Sequence, residues 1–108
     1  MAWLPCPYLG TSVELTDERL QHISETHPEL LPDHLAALEL TLADPDQIRS
    51  SGRLARTRLF ARWFDDIRDG KYVVAVVIAD PPPSGRVWVV TAYNARRLSG
   101  GTIEWTRN

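Results

Sequence analysis

"RLARTRLFARWF", Arg53 to Phe64, and "KYVVAVVIAD", Lys71 to Asp80, decide how this chain folds. In the first stretch, residues of like kind recur every second position, the period of a β-strand. Leu59, Ala61 and Trp63 fall on one face, and Arg56, Arg58, Phe60 and Arg62 on the other. The second stretch is apolar on both faces, which predicts a central strand. "DDIRDG" joins the two as a turn, and "PPPSG" leads to a third strand, "RVWVVTAYN", with Val87, Val89, Thr91 and Tyr93 on one side. "TIEWT" adds a short fourth strand.

Upstream of Arg53 the period is helical. Thr16 is a good N-cap. Leu15 and Leu20 sit at the staple positions around it, and Asp17 and Glu18 suit the positive end of the helix dipole. The helix should run to about His27, because Pro28 disfavours helical geometry in the residue before it. A second helix is expected from near Pro32, with Leu35, Leu38 and Leu42 at helical spacing, ending before the turn-rich "ADPDQIRSSG". The expectation is one α+β domain over residues 1–108. Two N-terminal helices would pack on an antiparallel meander sheet of three to four strands.

The chain of 108 residues has an ordinary globular composition. "MAWLPCPYLG" has neither a basic region nor a long apolar run, so no signal peptide is expected. The longest apolar run, Tyr72 to Ala79, is too short to span a bilayer, and no membrane partner is expected. A lone cysteine, Cys6, cannot form an internal disulfide and fits a reducing, cytoplasmic setting. Net charge is −2, but residues 1–46 hold nine acidic groups against Arg19 alone, and the rest holds eleven basic groups against five acidic ones. Two readings stand: an anionic partner for the second half, or pairing of the two halves on folding.

Three sets of residues could carry chemistry. Arg56, Arg58 and Arg62 around Phe60 offer guanidinium forks for phosphates and a ring for a base; the alternative is a solvated strand face. Thr91 and Tyr93 end an otherwise apolar strand face, as phosphate ligands, proton carriers or simple edge groups. "HISETHPE" places His22 and His27 five residues apart, which turns the two rings about 140° from each other on a helix. That geometry argues against a two-histidine metal clip. His27 shares a stripe with Leu20 and Ile23, while His22 lies nearly opposite. His34 adds a third histidine, but the spacings match no standard zinc site, and no metal or other cofactor is expected. Phosphate-binding glycine loops, nucleophile elbows and paired-cysteine motifs are absent from the sequence.

"HI" followed by "HPE", the "DP" before the arginines, and "VVTAY", in this order, resemble the phage-associated branch of the Barnase–EndoU–colicin E5/D–RelE-like (BECR) nuclease superfamily. The resemblance covers roughly residues 12–98. It implies a helical segment packed on a four-stranded antiparallel sheet, and a metal-independent ribonuclease of toxin-like character acting on tRNA or messenger RNA. An antitoxin or immunity protein would be a second partner. His22, His27, Thr91 and Tyr93 match the motifs as catalytic candidates and Arg56 and Arg58 as substrate-binding ones, to which the arginine face of the strand adds Arg62. With Lys71 as the sole lysine, a lysine-dependent mechanism is not expected. Histidine suits the acid and base tasks of RNA cleavage, and arginine the charge on phosphorus. The alternative is a catalytically inactive domain that binds protein or nucleic acid.

Overall fold

The computed structural model describes residues 1–107. It contains two helices, α1 (Asp17–Thr26) and α2 (Leu35–Ala43), and seven strands. The strands are β1 (Ala2–Cys6), β2 (Thr11–Leu15), β3 (Gln47–Ser50), β4 (Thr57–Phe64), β5 (Lys71–Ala79), β6 (Val87–Ala95) and β7 (Thr102–Thr106). They form one sheet in the order β1-β2-β6-β5-β4-β3-β7. Neighbours are antiparallel except β2 and β6, which pair in parallel through Glu14 and Trp88. Among the described residues no helix is long and apolar enough to cross a membrane.

The fold is therefore α+β, but the expected meander of three to four strands is wrong in size, polarity and order. A β1–β2 hairpin precedes both helices. Its first strand, "AWLPC", is not among the expected elements, and its edge position tolerates Pro5. Leu4 and Cys6 alternate inward with exposed Trp3 and Pro5, and Val13 and Leu15 point inward from β2. Strand β3 spans four residues inside a turn-rich stretch, too few for a period to register. Strand β7 does not follow β6 in the sheet; it pairs with β3 at the far edge.

The helices form where the sequence places them. Thr16 caps α1, its hydroxyl accepting from the Arg19 amide at 3.1 Å, an interaction worth about 1 kcal/mol. Ile23 is fully buried and Leu20 is half-buried. Helix α1 packs along β6, and α2 lies against β1, β4 and β5. Leu38 and Leu42 of α2 join Phe60, Ala75, Val77, Val89 and Ala92 in the main core.

This packing settles which face of β4 is inside. The alternation is as expected, but Phe60 is completely buried, so the face it shares with Arg58 and Arg62 is the core face. The two arginines sit beyond Phe60 at either end of the core. Tyr8, on the 3₁₀ turn between β1 and β2 (Pro7–Leu9), meets Phe60 edge-on with ring centroids 6.1 Å apart. The same ring lies 6.1 Å from Trp105 of β7. Its hydroxyl donates to Glu104 at 2.5 Å, so the connection at one edge of the sheet reaches the strand at the other, and the open sheet is strongly curled.

Strand β6 carries a bulge. Val77 pairs with Val89, but Val76 pairs with Thr91, leaving Val90 as an extra residue. Val87 and Val89 therefore face the core, while Thr91 and Tyr93 face outward. The expectation that all four share a side fails here, because a bulge inverts the alternation that follows it. The Val90 carbonyl accepts a hydrogen bond from the Arg19 guanidinium at 3.2 Å.

Candidate functional site

On the outer face, Tyr93 is aligned with Val74 and Ala61 across three strands. Residues 96–101, joining β6 to β7, must pass β5, β4 and β3 to reach the far edge. The connection crosses the outer face and leaves a cavity of about 70 Å³ beneath it, lined in part by Arg49, Tyr93, Arg97 and Ser99. That space holds roughly five waters or a group of phosphate size. The Arg49 guanidinium donates to the Gly100 carbonyl at 3.1 Å and anchors the crossing. Gly101 has φ 68°, and a Cβ there would lie 2.2 Å from the Ser50 carbonyl oxygen, so the close approach to β3 requires glycine.

His27, at the end of α1, touches Tyr93 without lining the cavity. As the C-cap it donates its amide to Ile23 O at 2.7 Å, which orients the residue toward β6. Its ring lies 6.1 Å from that of Tyr93, at an interplanar angle of 41°. Glu29 stands 3.3 Å from Nδ1. In the tautomer with hydrogen on Nδ1, that nitrogen donates to the Glu29 carboxylate and Nε2 is the acceptor. Burial pushes the Tyr93 hydroxyl above its ordinary value, so it stays protonated as a donor through neutral pH. Among the described residues Arg49 and Arg97 have no ion-pair partner. Thr91 lies two residues before Tyr93 on the same face and is half-buried.

The other candidates do not converge here. His22 is exposed, on an open depression beside Glu18, Gln21 and Glu25. Arg58 and Arg62 point to the opposite side of the sheet from Tyr93. Arg62 binds the carboxylate and carbonyl of Asp44 at 3.1 and 2.6 Å. Arg56 stands outside β4 at φ 62° and pairs with Asp80 at 3.0 Å. Arg56, Arg58 and Arg62 are thus each paired with a carboxylate distant in sequence. Arg86 with Glu14, and Arg107 with Asp44 and Asp46, join Arg62 with Asp44 as pairs between the acidic and basic halves, whereas Asp80 and Glu104 belong to the basic half itself.

Arg58 belongs to a second polar cluster. Its Nε donates to Glu104 at 2.9 Å, and Tyr8 and Ser50 donate to the same carboxylate. Partial burial pushes the Glu104 carboxyl up, but these hydrogen bonds and the Arg58 charge outweigh it and bring it down to about 2. Both oxygens are occupied and the group is a poor base, so the cluster is a structural clasp. Cys6 is buried in the core, and burial raises its thiol despite hydrogen bonds from Leu9 and Tyr8, which does not suit a nucleophile. Among the described residues, no three His, Cys, Asp or Glu side chains group as a metal site.

Arg49, Arg97 and Ser99 were not candidates from sequence. The "NARRLSGG" that follows "VVTAY" was visible, but nothing local says that it folds back over β4 and β5. No family model, curated protein or solved structure matches the chain.

Proposed function

We propose that the chain is a small metal-independent ribonuclease, cytoplasmic and toxin-like, that cleaves RNA such as tRNA or messenger RNA at the Tyr93 cavity. One observation carries this reading: His27 and Tyr93, distant in sequence, meet beside a cavity lined by Arg49 and Arg97, which have no ion-pair partner among the described residues. His27 Nε2 takes the proton of a ribose 2′-hydroxyl as its oxygen attacks phosphorus. The bond from phosphorus to the 5′-oxygen breaks, and Tyr93 protonates the leaving oxygen. Arg97 and Arg49 offset the charge that gathers on the phosphoryl oxygens. Thr91 is a further hydrogen-bonding group on the same face. In this reading Arg56, Arg58 and Arg62 stabilise the fold, and His22 stands aside. An antitoxin or immunity protein would silence the enzyme by covering the outer face.

A second reading is a non-catalytic module that binds RNA or protein. The internal neutralisation of the β4 arginines favours its protein-binding form, because it removes cations expected to grip RNA. Single-turnover cleavage of mixed RNA in EDTA decides between the two. His27→Ala and Tyr93→Phe should each slow cleavage by about 100-fold or more in folded protein. Cleavage unchanged in both variants, or absent from the wild type with and without divalent metal, overturns the ribonuclease reading.

A further inference from the structure

One row along the outer face from Tyr93, Trp63, Tyr72 and Ala95 are aligned across β4, β5 and β6. Trp63 keeps 37% of its surface in water, a large exposure for an indole. The ring is nevertheless held on three sides. Its Nε1 donates to Asp65 at 2.7 Å, and Tyr72 meets it edge-on with centroids 5.0 Å apart. Gly70, at φ 104°, lies against it so closely that a Cβ would come within 2.6 Å of the ring. An exposed aromatic held this firmly has little side-chain freedom left to lose on stacking.

Unpaired cations flank the ring. Arg68 of the β4–β5 turn and Arg96 beyond β6 have no ion-pair partner among the described residues. Lys71, the first residue of β5, faces the other side of the sheet with Phe64. The turn also carries Asp65, Asp66 and Asp69, of which Asp65 accepts from the indole and Asp66 lines a separate depression with Asp33 and His34. Strand spacing and rise place Trp63 roughly 12 Å from Tyr93, two strands across and one row along.

The geometry points to a nucleobase platform: Trp63 stacks on an unpaired base of a single-stranded RNA whose phosphate lies in the Tyr93 cavity. This inference rests on the ribonuclease reading for the position of the phosphate, while the platform has a separate readout. A base in a duplex is stacked on its neighbours and cannot reach the indole, so the platform selects single strands.

The test is fluorescence anisotropy with a labelled mixed-sequence single-stranded oligoribonucleotide and its duplex, on His27→Ala protein so that the RNA stays intact. Trp63→Leu keeps apolar bulk without a ring and should weaken single-strand binding by about ten-fold or more; Trp63→Phe keeps a ring and should retain most of it. Thermal melts verify that each variant is folded. Equal affinity in Trp63→Leu, duplex bound as tightly as single strand, or no RNA binding by the parent protein overturns the platform. Binding that depends on Trp63, in a protein whose wild type never cleaves, keeps the platform and removes the ribonuclease. Cleavage and binding indifferent to Trp63→Leu do the reverse.

Discussion

Replacing Glu104 with glutamine removes the charge on which Ser50, Tyr8 and Arg58 converge, and with it the clasp between the two edges of the curled sheet. The folded carboxyl titrates at about 2, against 4.5 for a free glutamate. A difference of that size corresponds to at most about 3 kcal/mol. The side chain keeps 22% of its surface in water, and screening there brings the expected contribution to about 1–2 kcal/mol. Because the folded value lies below the unfolded one, this stability is fully present above about pH 4.5 and disappears as pH falls through about 2. Urea unfolding of wild type and Glu104→Gln from pH 7 down to pH 2 measures the effect. The variant should be less stable at pH 7 by about 1–2 kcal/mol, or roughly 5–10 °C in Tm, and the gap should close toward pH 2. A gap that stays constant with pH would mean that the substitution acts through packing. No gap at pH 7 would mean that the hydrogen bonds around Glu104 add nothing net, and either result refutes the electrostatic account of the clasp.

The histidines should separate by stability as well as by rate: His22→Ala, at an exposed site, should cost less than about 1 kcal/mol. His27→Ala gives up its Tyr93 and Glu29 contacts and should cost about 1–2 kcal/mol; chemical denaturation of both variants measures the difference, and equal costs would contradict their placement. Gly101→Ala forces a Cβ onto the Ser50 carbonyl at a positive φ and should destabilise by about 1–3 kcal/mol. A variant that melts with wild type would show that the crossing connection does not lie as close to β3 as described.

The elements with a clear local signature were legible. The capped helix α1, the leucine-spaced α2, the alternating β4 and the apolar β5 all follow from the chemistry of neighbouring residues. The short or proline-containing strands were not. Neither "AWLPC" nor "QIRS" offers enough alternation to outweigh its turn residues, and both are strands because a partner strand supplies the hydrogen bonds. The alternation in β4 also leaves open which side is inside. Phe60 on one face competes with Leu59, Ala61 and Trp63 on the other, and the choice falls to whichever face α2 covers.

The same division runs through the candidate site. The sequence by itself set His22 opposite the stripe of Leu20 and Ile23, since 3.6-residue spacing separates them, and it placed His27 at the helix end, where the structure makes it the non-helical C-cap. It also placed Tyr93 near the end of a strand, and made one half of the chain acidic and the other basic. Only the tertiary structure decided where these groups lie. One extra residue at Val90 turns Thr91 and Tyr93 away from the core, because each step along a strand reverses the side chain. Pairing of β7 with β3 draws Arg97 and Ser99 across the sheet to roof the cavity. Asp44, Asp80 and Glu104 reach Arg62, Arg56 and Arg58 through contacts between residues remote in sequence. A bulge, a far-edge pairing and an ion pair between distant residues are each set by long-range geometry, which no window of neighbouring residues contains.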